Sequence, residues 1–300
     1  MSFSSDTKTE LCRSHVSNKC CAIAECYGIL LYGNTFTNTG IKIITESYSF
    51  AKRLSKLFKV AFGFSIDKYA ETTAGGKHIF TLTDKDKLNI IFDTYGYDKD
   101  KALAHHINFG VLEDPCCHES FMRGVFLAGG SVTDPEKRYH LELVTDHYSV
   151  SREGCTILLE MGFNPKVTDR NGNYIIYFKQ SDVITDFLTT IGAPLAAMEI
   201  MNAKITKNVY NTVNRKINCD TANVEKTVEA SHLQLEAIRR LNARGKLDEL
   251  PEKLRETAQL RMDNPELSLS QLAELTSPPV TKSCLNHRLR KIMELSANLG

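Results

Sequence analysis

Apolar residues follow two periodicities along the first two thirds of this 300-residue chain, one typical of helices and one typical of strands. Apolar side chains three or four positions apart, such as Leu54, Leu57 and Ala61, favour a helix. On this basis we predict helices near residues 18–32, 47–62, 84–95, 117–129, 147–161 and 181–191. Runs of β-branched and aromatic residues predict strands near residues 34–37, 40–46, 65–71, 77–83, 131–133, 139–146, 164–170 and 173–179.

This order of elements, helix, two strands, helix, two strands, helix, occurs twice. Residues that match at an offset of 100 positions are Thr45 and Thr145, Glu46 and Asp146, and Tyr48 and Tyr148. Repeats at a fixed spacing indicate a duplicated structural unit. We therefore predict an α+β domain over residues 1–195, built from pseudo-two-fold αββαββα repeats at about residues 18–96 and 115–192.

Beyond Pro194 the pattern predicts helices only. Helix 219–242 would bury one stripe of apolar side chains, namely Val224, Val228, Leu235, Ile238 and Leu241. Another helix begins at Pro251 and ends near Met262, and the capping-box spacing of Ser268 and Gln271 predicts a short helix after it. Residues 219–300 are therefore expected to form an all-α domain.

The last predicted helix has one apolar and one polar side. Thr281 can cap it, and Leu285, Leu289 and Ile292 fall on one side. The other side and its flanks carry the residues that we predict to contact DNA, namely Lys282, Ser283, Asn286, His287, Arg288, Arg290 and Lys291. A short helix, a turn and a basic amphipathic helix are typical of a helix-turn-helix motif, here over about residues 251–296. Arginine and asparagine can read bases, and lysine can bind phosphate.

Charge is unevenly distributed, although the net charge of the whole chain is only +1. Residues 1–200 hold 21 Lys and Arg against 24 Asp and Glu (−3), and residues 201–300 hold 16 against 12 (+4). A basic, acid-free stretch favours a polyanionic partner. We predict that residues 196–218 form a basic linker that acts as a hinge, with the cations Lys204, Lys207, Arg215 and Lys216.

Two of the predicted helices are rich in small residues, which allow close contact between helix backbones. Their segments run from Glu25 to Asn34 and from Met122 to Ser131. This pattern resembles the LAGLIDADG homing-endonuclease fold, in which an acidic residue near the end of each motif holds the metal for DNA cleavage. If Gly28 and Gly124 are aligned with the first glycine of that motif, Gly33 and Gly129 fall at the acidic, catalytic positions. The resemblance therefore implies a scaffold that has lost its catalytic residues.

Three motifs together resemble the WhiA family of bacterial regulators of sporulation and cell division. They are the opening Met1-Ser-Phe-Ser, the segment Phe126-Leu-Ala-Gly-Gly-Ser-Val132, and the segment from Pro278 to Lys291. The resemblance implies a degenerate LAGLIDADG domain followed by a helix-turn-helix domain. It also implies a sequence-specific transcription regulator rather than an enzyme. The alternatives are a chromosome-associated DNA-binding scaffold with little sequence preference and a residual nuclease.

Nine cysteines and nine histidines are the other candidates for chemistry. The odd number of cysteines and the missing signal-peptide pattern favour reduced thiols in the cytoplasm. Because we expect DNA binding, we expect the protein at the nucleoid. The pairs Cys20-Cys21 and Cys116-Cys117 stand before the two motif helices and could bind zinc together, but they lack the usual two-residue gap. We interpret them as ordinary thiols, and His105, His106 and His118 as surface histidines.

Double-stranded DNA is therefore the expected partner, with another transcription regulator as a further candidate. No serine or cysteine nucleophile motif and no phosphate-binding glycine loop occurs. No run of about 18 apolar residues occurs either. We predict no catalytic residue, no metal, no cofactor, no membrane and no small-molecule substrate.

Overall fold

A computed structural model of the chain describes residues 2–16, 18–66, 68–69, 76–98 and 105–298. The chain divides into two compact units, Met1–Lys207 and Asn208–Gly300. Each unit has its own cluster of buried apolar side chains.

The first unit contains the duplicated pattern of helices and strands. Its helices are α1 (Phe3–Leu11), α2 (Lys19–Leu31), α3 (Tyr48–Phe62), α4 (Lys85–Tyr95), α5 (Pro115–Gly129), α6 (Tyr148–Glu160) and α7 (Ser181–Ile191). Its strands are β1 (Thr35–Thr37), β2 (Gly40–Thr45), β3 (Lys68–Tyr69), β4 (His78–Leu82), β5 (Gly130–Val132), β6 (Leu141–Thr145), β7 (Lys166–Arg170) and β8 (Asn173–Phe178). Residues 67, 70 and 71 of the predicted strand 65–71 lie outside the described part of the chain.

The two repeats form equivalent antiparallel sheets. Their strand orders are β1-β2-β4-β3 and β5-β6-β8-β7. The registers also correspond, since Ile43 pairs with Phe80 in the first sheet and Leu143 pairs with Ile176 in the second. The predicted αββαββα duplication is therefore confirmed.

Helices α2 and α5 pack against each other at the centre of the first unit, and glycine makes this contact possible. A Cβ atom on Gly28 would collide with the carbonyl oxygen of Phe121, and one on Gly124 would collide with that of Glu25. The carbonyl of one helix thus occupies the space of a side chain on the other. This close approach is the one that the small residues predicted.

Every regular element that the structure describes in the second unit is a helix. Helix α8 (Pro194–Ala243) begins in the first unit and is followed by α9 (Glu252–Asp263), α10 (Leu269–Glu274) and α11 (Lys282–Ala297). The prediction that a helix begins near residue 219 was wrong, because no glycine or proline interrupts residues 195–244. The predicted apolar stripe was also wrong in part. Val224 and Val228 are each 62% exposed, whereas Ile238 and Leu241 are buried.

The predicted linker 196–218 lies within α8. Two of its predicted cations belong to the first unit, which ends at Lys207. Lys204 forms an ion pair with Asp182, and Lys207 donates a hydrogen bond to the carbonyl of Pro135. Arg215 and Lys216 are exposed. No helix in the described residues is long and apolar enough to cross a membrane.

Candidate nucleic-acid interface

Helices α9, α10 and α11 pack around one apolar cluster, and this packing fixes the orientation of α11. Leu285, Leu289 and Ile292 are at most 1% exposed. They pack with Leu254 and Ala258 from α9 and with residues of α10. The predicted apolar side of the last helix is therefore confirmed as a buried face.

Side-chain caps define the start of α10. The Ser268 hydroxyl accepts a hydrogen bond from the backbone N–H of Gln271, and the Gln271 amide oxygen accepts one from the Ser268 N–H. The predicted capping box is confirmed, and it satisfies two backbone donors that the helix itself leaves unpaired.

The turn between α10 and α11 is held by two threonines. Thr276 donates a hydrogen bond from its hydroxyl to Ala273 O (2.8 Å) and accepts one from Val280 N (3.0 Å). Thr281 accepts one from Cys284 N (3.3 Å), which confirms it as the cap of α11. The turn therefore holds the start of α11 in a defined direction.

Arg261, which the sequence did not single out, supports the connection between α9 and α10 from inside. Its side chain is 2% exposed, and its Nη1 donates to the carbonyl of Leu267 (2.7 Å). Its Nε has no hydrogen-bond partner, and burial lowers the pKa of the guanidinium. No periodicity could reveal this role, because an arginine on a polar helix is usually solvated.

The structure places most of the predicted DNA-contacting residues on the solvent side of α11. Lys282, Ser283, Asn286, His287, Arg290 and Lys291 are exposed, and Arg288 is half-buried. No acidic residue lies between residues 281 and 293, so no side chain of this segment offsets the positive charge. This helix face can therefore offer paired donors to base edges and cations to phosphates.

A cavity of about 510 Å³ near the ends of α2 and α5 adjoins Gly33, one of the two glycines that the sequence comparison places at the acidic positions of the nucleases. A Cβ atom on Gly33 would lie 2.6 Å from Ile29 O, and one on Gly129 would lie 2.5 Å from Val144 O. Neither position can therefore hold a carboxylate without a backbone shift. Gly33 lines the cavity, and so does Lys8.

Lys8 brings a positive charge to this cavity, which Lys77 and Glu46 also line. Its ammonium donates to Leu127 O at the end of α5 (3.1 Å), and burial lowers its pKa to about 8. At neutral pH a group with this pKa is mainly protonated. A cation at this place opposes the binding of a divalent metal ion.

The cysteine pairs of the two repeats come together at the opposite ends of the same helices. The side-chain ligand atoms of Cys20, Asp114, Cys116 and Cys117 all lie within 4.8 Å of one another. Burial and the neighbouring thiols of Cys20 and Cys116 raise the pKa of Cys117 to about 12. The sequence missed Asp114, since nothing in its spacing connects it with Cys20.

The candidate histidines, unlike the cysteines, do not come together in a cluster of potential metal ligands within the described residues. His105 stacks on His147 with 3.8 Å between the ring centres, and its Nε2 lies 2.7 Å from Phe36 O. Among the described residues, His105, His106 and His118 form no group of potential metal ligands.

A duplicated αββαββα domain and a helix-turn-helix domain in one chain define a class of LAGLIDADG-like proteins with an added DNA-binding motif. The WhiA C-terminal HTH domain matches residues 213–296, and the WhiA LAGLIDADG-like domain matches residues 118–210. The probable cell division protein WhiA of Ruminiclostridium cellulolyticum is 39% identical, with 100% of this chain and 98% of the relative covered. The probable cell division protein WhiA of Alkaliphilus oremlandii is 36% identical, with 100% of this chain and 98% of the relative covered. The chain belongs to the WhiA family.

Solved structures agree with this assignment. Full-length DUF199/WhiA from Thermatoga maritima matches with a TM-score of 0.59 and 25% identity, over 100% of this chain and 99% of that one. The N-terminal LAGLIDADG domain of DUF199/WhiA matches with a TM-score of 0.50 and 22% identity, over 64% and 92%. The predicted family and fold class are thereby confirmed.

Proposed function

We propose that this chain is a sequence-specific DNA-binding transcription regulator of cell division and sporulation, and that α11 reads the DNA. The observation that carries the proposal is the exposed, acid-free face of α11 on a helix whose other face is buried in a helix-turn-helix core. Its relatives are named probable cell division proteins, which supports the regulated process.

In this proposal α11 lies in the major groove and its residues have different roles. Asn286 and Arg290 stand four positions apart on one side of the helix and form paired hydrogen bonds with adenine and guanine. Ser283 and His287 lie on the same face, one helical turn apart, and contact base edges or phosphates. The cations Lys282, Arg288 and Lys291 bind the backbone and set the register.

A second group of residues supplies a phosphate anchor beside α11. A cavity of about 440 Å³ in the second unit is lined by Lys226 of α8, Arg261 of α9, Ser268 and Ser270 near the start of α10, and Lys282. No acidic residue lines it. Lysine binds phosphate as a cation, so the exposed side chains of Lys226 and Lys282 suit a DNA phosphate at this place.

Genome-wide occupancy separates the regulator from the scaffold. A regulator occupies discrete promoter sites, and a strain that carries Asn286→Ala loses these peaks while its protein level stays normal. Broad coverage of the chromosome that Asn286→Ala leaves unchanged would favour the scaffold with little sequence preference. The same experiment tests whether the protein lies at the nucleoid. It also identifies the promoters at which a second regulator can be sought as a partner.

We also propose that the first unit has no nuclease activity. The two glycines offer no ligand where nucleases hold metal, and Lys8 adds a positive charge nearby. Supercoiled plasmid incubated with the full chain and Mg²⁺ or Mn²⁺ is expected to stay intact. Nicking that follows the protein peak through purification would support the residual nuclease instead.

A further inference from the structure

Four side chains with metal-binding atoms meet where the two central helices begin. Cys20 lies in the first turn of α2, Cys116 and Cys117 lie in the first turn of α5, and Asp114 is the residue before α5. Their three sulfur atoms and one carboxylate oxygen lie within 4.8 Å of one another. Each repeat contributes to the cluster, so it bridges the pseudo-two-fold interface.

The distances fit a tetrahedral metal site after small side-chain movements. Zinc–sulfur bonds of about 2.3 Å place the sulfur atoms of a tetrahedron about 3.8 Å apart. No two of the four ligand atoms are more than 4.8 Å apart, so none needs to approach another by more than about one ångström. Three thiolates and one carboxylate complete four-fold coordination, and soft sulfur ligands select zinc over magnesium or calcium.

The position of Asp114 is a separate sign that this group serves a ligand. An aspartate before a helix usually accepts hydrogen bonds from the first N–H groups of the helix. Asp114 forms no such side-chain bond, although it occupies the cap position of α5. Its carboxylate belongs to the cysteine cluster instead.

Burial and access also suit a bound ion. Cys117 is 2% exposed and Cys116 is half-buried, whereas Cys20 and Asp114 are exposed. An ion can therefore reach the cluster from solvent and be held against the protein interior. Cys21 lies beside the cluster but is not one of its four ligands, and its Sγ is 3.9 Å from Cys20 Sγ and 3.8 Å from the carbonyl oxygen of Cys116.

We propose that Cys20, Asp114, Cys116 and Cys117 bind one Zn²⁺ ion, which joins the starts of α2 and α5 and so fastens the two repeats together. On binding, the three thiols release their protons to solvent and the thiolates bond to the metal. The paired cysteines lack the sequence spacing of a zinc knuckle, and the fold supplies the missing ligands by bringing the two repeats together. The site is structural and does not depend on the proposed DNA-binding function.

The test uses the full-length chain, freed of metal and kept reduced. Titration with Co²⁺ is expected to give the visible absorption of a tetrahedral thiolate complex at one equivalent, and Zn²⁺ is expected to displace it. Cys20→Ser and Cys116→Ser are expected to weaken binding by more than about a hundredfold, since residues that merely orient ligands already account for about 10–100-fold. Cys219→Ser, an exposed cysteine of the second unit, is the matched control and should bind as the unchanged protein does.

Thermal unfolding provides a second measurement that does not depend on the visible absorption of a Co²⁺ complex. Zn²⁺ should raise the melting temperature of the unchanged protein and of Cys219→Ser, but not that of Cys20→Ser. Because Cys20 is exposed, its serine variant should melt like the unchanged metal-free protein. The proposal is overturned if the reduced protein gives no Co²⁺ spectrum, or if Cys20→Ser binds the metal equally well. A disulfide between Cys20 and Cys116 or Cys117, in a protein that takes up no metal when reduced, would overturn it too.

Discussion

Glu25 is a buried carboxylate that two arginines from other helices neutralise. Arg53 donates to both of its oxygens, from Nε at 2.5 Å and from Nη2 at 2.6 Å, and both side chains are 2% exposed. Arg53 also donates to Ser14 O at 2.6 Å, and Arg123 lies 3.4 Å from Glu25. The pair therefore ties α2 to α3, to the segment after α1 and to α5.

Removing one partner of this pair should cost more than removing both. Arg53→Met leaves a buried charge without its main counterion and is expected to lower the free energy of unfolding by about 3–5 kcal/mol. The double variant Glu25→Leu/Arg53→Met should recover much of that loss, because the buried carboxylate is removed together with its main counterion and Arg123 still donates to Ile191 O. Denaturant unfolding of the three proteins measures the difference. Equal losses in the single and double variants would show that the ion pair has no special role.

Lys8 makes stability depend on pH. Burial lowers its pKa from 10.5 to about 8, so between these values the unfolded chain binds more protons than the folded one. Its penalty on stability is therefore fully present below about pH 8 and disappears as the pH rises towards 10.5.

Lys8→Met is accordingly expected to stabilise the protein by about 1–3 kcal/mol at pH 7, less at pH 10. Lys56→Met, on an exposed face of α3, is the control and should show no such pH-dependent gain. Unfolding of each variant at both pH values checks this. A constant loss of stability in Lys8→Met would mean that its bond to Leu127 O outweighs the cost of burial.

Contacts of this kind could not be predicted from the sequence. Glu25 and Arg53 are 28 positions apart, and neither breaks the local pattern of its helix. Asp114 and Cys20 likewise meet only because the two repeats fold against each other. Which charged residues are buried depends on tertiary packing, and a single sequence does not contain that information in its local pattern.

Most helices, by contrast, were predictable because local signals mark their ends. The predicted helix 47–62 is α3, which begins after Ser47, whose hydroxyl accepts from Phe50 N, and ends at Gly63 with φ of +83°. Helix α1 was missed, since its buried residues are Thr7 and Leu11 and give almost no apolar stripe. The start of α8 was misplaced because nothing in its sequence stops a helix.

Substitutions on α11 should separate base reading from phosphate binding. Asn286→Ala and Arg290→Ala are each expected to reduce the binding free energy for the preferred duplex by about 1–3 kcal/mol and to relax the base preference of the protein. Lys282→Ala and Lys291→Ala should weaken binding to all duplexes. They should also lower the slope of log affinity against log salt concentration by about one unit per lost phosphate contact. Binding curves at several salt concentrations distinguish these effects.

Arg290→Lys is the matched control on the same helix. It keeps the positive charge but loses the planar pair of donors that fits guanine. It should therefore keep the salt dependence of the unchanged protein and lose base preference. If all these variants lost the same affinity for every duplex, the result would favour a scaffold over a sequence-specific regulator.

At the scale of the whole molecule, two separate apolar cores lead us to predict two units that fold independently. The first includes residues up to Ile200, and the second begins at Ile238. Residues 208–226 between these cores are exposed throughout. The basic linker that the sequence suggested at 196–218 remains a prediction, with Arg215 and Lys216 as its exposed cations.

Limited trypsin digestion is expected to begin at Arg215 and Lys216 and to release two stable fragments. The fragment from the C-terminal side should still bind DNA. Arg215→Gln/Lys216→Gln should slow this first cleavage without changing the melting temperature. Early cleavage inside α9 to α11, or simultaneous loss of both fragments, would contradict independent folding.

The duplication and the order of domains were visible in the sequence because both repeats keep the same turn glycines and strand patterns. Gly76 and Gly172 have positive φ values of 68° and 79° and precede equivalent strands. The face of α11 that we propose to bind DNA was visible too, as a basic face opposite an apolar one. The bases that this face selects depend on contacts with a partner and are not encoded in such a pattern.

Selection of duplexes from a random pool tests sequence-specific recognition by α11 most directly. We expect the full-length chain to enrich one short motif over successive rounds, and the Asn286→Ala/Arg290→Ala variant to bind the pool without enriching that motif. Enrichment of the same motif by both proteins would contradict the assignment of base reading to α11. Retention of the pool without any enriched motif by the unchanged protein would contradict sequence-specific binding itself.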